Sequence, residues 1–170
     1  KMGKILVTGA AGFVGSVLIE RLNELGLNFM GIDNFSVGTA HVVKNVPIYN
    51  MDITDEKDIE KMMEDTEILV HLAAITSIPD CEKQPHMAAK VNLSALKLLI
   101  DKGIKYGSLE KVIFASSFAV YGTPPPYITL DTPKKPTNFY GILKSAAEEL
   151  IITSGEQHKF QYIIFRQTNI

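Results

Sequence analysis

The run Lys4-Ile-Leu-Val-Thr-Gly9-Ala-Ala-Gly12-Phe-Val-Gly15 constrains this chain more than any other stretch. A short β-type segment leads into three spaced glycines, and a helical apolar period follows at once. That layout is a buried strand turning tightly into a helix. Such a loop brings the backbone close to phosphate oxygens, and the helix start offers them N–H groups and a partial positive charge. No cationic side chain is needed. The spacing is Gly-x-x-Gly-x-x-Gly, one residue longer between its first two glycines than Gly-x-Gly-x-x-Gly. Gly9, Gly12, Phe13, Val14 and Gly15 are therefore candidates to cradle the pyrophosphate of a dinucleotide. An ordinary strand-to-helix turn packed tightly would ask for the same glycines.

The rest of the chain continues the theme. Apolar β-type runs near 4–8, 28–33, 47–50, 67–72, 111–116 and 160–166 alternate with helical periods near 12–25, 55–64, 83–104 and 138–156. This alternation predicts an α/β fold, a doubly wound parallel sheet with helices on both faces. Helix 12–25 is expected to bury Val14, Val17, Leu18, Leu22 and Leu25 and to stop at Gly26, a C′ glycine. Residues 34–46 and the proline-rich stretch 122–137 read as functional loops. The last strand is followed by only a few residues, whereas the loop there should line the ligand crevice, so the domain is expected to be truncated at its C-terminal side.

Composition narrows the class of function. A chain of 170 residues that is 46% hydrophobic can bury one sizeable core. Its net charge of −2 comes from interspersed charges with no basic block, which argues against a nucleic-acid partner. Cys81 is the only cysteine, so no internal disulfide, Cys zinc cluster or Cys-x-x-Cys pair can form, and no metal site is expected. The lone cysteine points to a reducing, cytoplasmic setting, and no apolar run is long enough to span a bilayer, so no membrane partner is expected.

Chemistry is concentrated at the predicted strand ends. Asp33 ends the second strand 18 residues after Gly15, where a carboxylate can accept both ribose hydroxyls of an adenosine and repel a 2′-phosphate. No arginine lies between Arg21 and Arg166, so the expected cofactor is NAD rather than NADP. Asp52-Ile53 can set a carboxylate by the adenine amino group and an aliphatic face against the ring; an N-terminal turn before helix 55–64, capped by Thr54 or Asp55, explains the same residues. Ala73 and Ala74 are small enough for a ribose to lie against the backbone. Tyr140 and Lys144 stand four apart on one helix face, where an ammonium favours the phenolate and lowers the tyrosine from about 10. Ser116-Ser117, after strand 111–116, reaches the same rim and offers a hydroxyl to a substrate oxygen. A Ser/His/Asp hydrolase is disfavoured, since no Gly-x-Ser-x-Gly elbow exists and His71 sits inside an apolar strand.

The glycine loop, Asp33, Asp52-Ile53, His71-Leu-Ala-Ala74, Ser116-Ser-Phe-Ala-Val-Tyr-Gly122, Tyr140-x-x-x-Lys144 and Arg166-x-x-Asn169 occur in one order. Together they resemble the extended short-chain dehydrogenase/reductase family, most closely its NAD-dependent nucleotide-sugar epimerases and dehydratases of the UDP-glucose 4-epimerase type. The resemblance runs over essentially the whole chain. It implies a Rossmann-type NAD-binding domain over 1–170, incomplete, with the small C-terminal substrate domain absent. It also implies Tyr140 as catalytic base, Lys144 on the nicotinamide ribose, and Ser117 on the reacting sugar oxygen. Asn34, Ser36, Leu72 and Thr168 join the cofactor-binding set, and Asn169 the substrate-binding one.

In that family mechanism a hydroxyl proton passes to the tyrosine and hydride to NAD, and an epimerase returns the hydride to the other face of the 4-keto sugar. Dehydratases of the family commonly carry Asp-Glu after the catalytic Ser or Thr. This chain has Phe118-Ala119 there, which ranks epimerase above dehydratase. A reductase and a non-catalytic NAD-binding sensor are the other readings. Helices 83–104 and 138–156 resemble a pair that forms a four-helix dimer interface in relatives, so a homodimer acting on a UDP-sugar is the expectation.

Overall fold

The computed structural model describes residues 4–37 and 42–168; Gly38 and Asn169 lie outside the described residues. Among the described residues seven strands form one sheet: β1 (Lys4–Thr8), β2 (Phe29–Asp33), β3 (Val42–Val43), β4 (Val46–Asn50), β5 (Thr66–His71), β6 (Lys111–Ser117) and β7 (Gln161–Gln167). Their spatial order is β3-β4-β2-β1-β5-β6-β7. Six of them are parallel, and β3 pairs antiparallel with β4. The chain starts in the middle, winds outward through β2 and β4, and returns to β5 on the other side of β1. That reversal opens a crevice at the carboxyl ends of β1 and β5, the place where doubly wound sheets bind ligands.

Helices α1 (Phe13–Glu24), α2 (Glu56–Met63), α3 (Ile78–Lys83), α4 (Pro85–Ala89), α5 (Ala95–Tyr106) and α6 (Phe139–His158) connect the strands. The pleat of β1 divides the core. Ile5 and Val7 pack with Ile19 and Leu22 of α1, whereas Leu6 packs on the opposite face with Ile59, Met62, Leu96, Leu99 and Ile151 of α2, α5 and α6. Leu6 and Val7 are fully buried, and each such side chain contributes roughly 1.5–3 kcal/mol. At the far edge the face that α1 covers at β1 is open, with Ile163 and Phe165 of β7 exposed.

Two expectations are corrected, and one short strand was not foreseen. Helix 12–25 buries Gly15, Ile19 and Leu22, while Val17 and Leu25 are exposed. Its inner face is set by Gly15, which must lie against the Gly9 carbonyl, so the helix is rotated from its most apolar stripe. The helix expected over 83–104 is instead α4, a π-helical turn (Lys90–Ser94) and α5, preceded by α3. Pro85 ends one helix and begins the next because it has no N–H to donate. The two-residue β3 carried no readable period.

Candidate functional site

The glycine loop between β1 and α1 forms the floor of the crevice. Gly9 has φ +72°, a left-handed conformation, and a Cβ there would stand 2.8 Å from the Ala73 nitrogen. A Cβ on Gly15 would overlap the Gly9 carbonyl oxygen. Both positions therefore admit glycine alone without movement. Gly12 is the N-cap of α1 and supplies no side-chain cap, and the first turn carries no acidic residue. The first-turn N–H groups and the positive end of the helix dipole thus face the crevice with no carboxylate of their own.

Asp33 closes the loop from β2. Its Oδ2 accepts the Ala11 N–H at 3.0 Å and its Oδ1 the Phe35 N–H at 2.8 Å. One side chain thus pins the glycine loop to the strand end, and each oxygen keeps acceptor capacity for a ribose hydroxyl. Asp52 holds a different turn, with Oδ1 accepting both the N–H and the hydroxyl of Thr54 at 2.8 Å. Burial opposes its charge, but those bonds, the Asn34 side chain and the Lys90 ammonium prevail and hold its carboxyl below the ordinary value. The α2 cap comes from Asp55, which accepts the Lys57 and Asp58 N–H groups. Asp52 is thereby left on the cleft wall rather than at the helix start.

Tyr140 and Lys144 stand on α6, whose start is capped by the Asn138 side chain accepting the Gly141 N–H at 2.8 Å. Lys144 is buried at 4% exposure, its Nζ donating to the Ala115 carbonyl at 2.8 Å and lying 4.7 Å from the Phe114 ring centroid. Burial pushes its pKa down to about 8, with Cys81 and Glu148 pulling the other way. Burial likewise raises Tyr140, and hydrogen bonding by the Ser117 hydroxyl partly offsets it. The expectation that Lys144 draws the phenol down is not met in this geometry. Its ammonium is turned to the Ala115 carbonyl and sits 5.8 Å from the Tyr140 ring centroid. Ser117 ends β6 and caps the following 3-10 turn (Phe118–Tyr121), its Oγ accepting the Ala119 N–H at 3.1 Å.

These elements enclose a cleft of about 780 Å³. Gly9, Gly12, Phe13, Val14, Gly15, Asp33, Asn34, Ser36, Asp52, Ile53, Leu72, Ala73, Ala74, Tyr140 and Lys144 all line it. Thr168 and Ser117 do not form its wall; Gln167 and Ser116, their chain neighbours, do. Asn169 lies outside the described residues. Met87, Lys90 and Val91 add a wall that sequence reasoning missed, because 83–104 read as one uninterrupted helix. The cradle at Gly9 and Gly15, the carboxylate at Asp33 and the absence of any arginine among the lining residues fit an NAD molecule. No group of three or more His, Cys, Asp or Glu that could hold a metal occurs among the described residues.

The family model described as "NAD dependent epimerase/dehydratase family" matches residues 5–170. This chain belongs to that family. Among the family's curated members, the UDP-glucose 4-epimerase of Halalkalibacterium halodurans is 32% identical over 97% of this chain and 50% of its own length. The crystal structure of Thermus thermophilus UDP-glucose 4-epimerase in complex with NAD has a TM-score of 0.88 at 30% identity, covering 96% of this chain and 54% of that one. That of the Thermotoga maritima UDP-glucose 4-epimerase with UDP-glucose has a TM-score of 0.88 at 31% identity, over 96% and 54%. The chain spans about half the length of these relatives. The family's NAD dependence agrees with the doubly wound Rossmann sheet and the cleft at its switch point. No helix among the described residues is long and apolar enough to cross a membrane.

Proposed function

We propose that this chain is the NAD-holding domain of a nucleotide-sugar epimerase that inverts C4 of a UDP-hexose, the small substrate domain lying outside it. The observation that carries the reading is that Tyr140 and Lys144 open onto the same cleft as the glycine loop and Asp33. NAD, when bound, supplies a reversible acceptor for the hydrogen carried on the sugar carbon. The chain's residues handle the proton. Tyr140 takes it from the sugar hydroxyl and later returns it, the Ser117 hydroxyl holds the sugar oxygen, and Lys144 would hold the nicotinamide ribose of the cofactor. Because burial raises the phenol, its readiness to accept a proton depends on the Ser117 hydrogen bond and on positive charge in the cleft. Asp33 accepts the adenosine ribose hydroxyls.

We further infer a homodimer, in the cytoplasm, through the helical segments within 83–104 and α6, on which Ile142 is an exposed apolar side chain. Size-exclusion chromatography with light scattering reads this directly; a monomer at micromolar concentration removes it.

The catalytic test is interconversion of UDP-glucose and UDP-galactose by protein carrying this chain, followed by product isomer and by absorbance of NADH. Turnover without net NADH is expected, with Tyr140→Phe losing turnover while NAD stays bound. Stoichiometric NADH would make the protein a dehydrogenase, and turnover retained in Tyr140→Phe would remove the proposed base.

A further inference from the structure

Glu148 is the one fully buried carboxylate among the described residues, at 0% exposure. It lies on α6 one turn beyond Lys144 and outside the cleft wall. A charge in such a place costs several kcal/mol unless it is paired and hydrogen-bonded, and this one is held by Ser116, Arg166 and Lys134, of which Ser116 lines the cleft. Oε1 accepts the Ser116 hydroxyl at 2.5 Å and Arg166 Nε at 3.0 Å. Oε2 accepts Arg166 Nη2 at 2.8 Å and Lys134 Nζ at 3.2 Å. Arg166 in turn donates from Nη1 to the Tyr121 hydroxyl at 2.7 Å.

The carboxylate therefore joins three segments to α6 directly and a fourth, at Tyr121, through Arg166. Ser116 precedes Ser117 at the end of β6, Arg166 is the register partner of Ser116 on β7, Tyr121 closes the turn that Ser117 caps, and Lys134 belongs to the loop before α6. An apolar side chain of similar volume would fill the same space, and buried ion pairs rarely gain stability over apolar packing. What the carboxylate adds is direction. Its bonds fix both the rotation of α6, which carries Tyr140 and Lys144, and its distance from the strand end that carries Ser117. We propose that Glu148 is a positioning residue, holding the Tyr140 and Lys144 face of α6 in register with Ser117 through Arg166 and Ser116. This rests on the reading of Tyr140, Lys144 and Ser117 given above.

Its charge has a second effect. The groups around Lys144 are Tyr140 and Glu148 on α6, Cys81 on α3, His71 on β5, and the Phe114 ring and Ala115 carbonyl on β6. Among them Glu148 is the carboxylate, and it favours the ammonium form against burial, while Arg166 and Lys134 neutralise part of its field.

The test compares Glu148→Gln, which keeps shape and loses charge, with Ser116→Ala, which removes one bond and leaves the ion pair. Below the melting temperature, Glu148→Gln is expected to lower kcat about 10- to 100-fold. NAD affinity and KM for the sugar nucleotide should stay within about 2-fold. Ser116→Ala should show a smaller loss of the same kind. Independently of turnover, the NMR titration of the Lys144 ε-methylene, assigned by its absence in Lys144→Met, should move to lower pH in Glu148→Gln. Variants that melt earlier but keep kcat and the Lys144 midpoint would make Glu148 merely structural and overturn the proposal. If the unsubstituted protein turns over no sugar nucleotide, the functional reading fails instead, and the lysine titration still decides whether Glu148 acts on Lys144.

Discussion

Thr8 and His71 meet across the two central strands, Thr8 Oγ1 lying 2.9 Å from His71 Nδ1 with both residues buried. Thr8 Oγ1 also accepts the Leu72 and Ala73 N–H groups at 3.2 Å each. Having used its lone pairs there, the hydroxyl donates to Nδ1, so the imidazole is neutral with its proton on Nε2. The pair ties the end of β1 to the loop that walls the cleft.

Protonating His71 would break that bond. Burial, and secondarily the Lys144 charge, push its pKa down to about 3 from 6.5. The unfolded chain binds this proton first as pH falls, so the native state loses stability between pH 6.5 and 3. At pH 5 the loss from this residue is about 2 kcal/mol. The carboxylates of Asp52 and Glu148 act in the same direction, so the measurement is a difference. Urea midpoints at pH 7 and 5 should fall more for the unsubstituted chain than for His71→Gln. Equal slopes would sink the assignment.

Lys144 works in the opposite part of the pH scale. Its folded pKa of about 8 lies below the 10.5 of a free lysine, so between those values the unfolded state holds more protons and stability rises with pH. Relative to Lys144→Met, the unsubstituted chain should gain on the order of 3 kcal/mol between pH 8 and 10.5. Denaturation curves for both proteins at pH 7.5 and 10 test it. A constant difference would mean that the ammonium is as well solvated in the fold as out of it.

Gly15 and Gly26 separate crowding from conformation. A Cβ added at Gly15 has the Gly9 carbonyl oxygen in its place, whereas at Gly26, φ +64°, nothing lies within 4 Å. Gly26→Ala should cost only the left-handed conformation, about 1–2 kcal/mol, and leave NAD binding unchanged. Gly15→Ala should cost about 1–3 kcal/mol as α1 shifts and should weaken NAD binding as well. Calorimetric titration with NAD distinguishes them; equal affinities would show that the loop tolerates the shift.

Much of this was readable in advance, for a physical reason. The six parallel strands and α1, α2 and α6 came from apolar periodicity, which a buried sheet and the helices covering it impose on any chain. The Gly9 to Gly15 loop, Asp33 and the Tyr140-Lys144 pair were legible because each requirement is local: a turn, a strand end, one helical repeat. Met87, Lys90 and Gln167 were not, since their place on the cleft wall depends on how α4, the π turn and β7 are set in three dimensions. The same holds for the Lys144 ammonium, whose direction is decided by the Ala115 carbonyl, 29 residues away. Glu148 carries no local signal either, since its role depends on Arg166 and Ser116, which only the fold brings to it.

Asn92 carried no sequence signal at all, yet it clamps the cleft loop. In the π turn, at 3% exposure, its Oδ1 accepts the Ile75 N–H at 2.8 Å and its Nδ2 donates to the Ile75 carbonyl at 2.9 Å. The carbonyl has one other donor, the Cys81 thiol, at 3.5 Å. Asn92→Ala leaves the Ile75 N–H without this partner and should cost about 1–3 kcal/mol. Asn92→Asp should be worse at pH 7.5, because a buried carboxylate can accept from the N–H but only repels the carbonyl. Protonation restores the donor: a neutral carboxyl in that place again offers one O–H and one acceptor oxygen. Asn92→Asp should therefore gain on Asn92→Ala as pH falls from 7.5 to 5, the reverse of the trend that His71 imposes on both. Paired urea melts of the two variants at those pH values read the crossing, and curves that stay parallel would show that the clamp on Ile75 does not hold the loop.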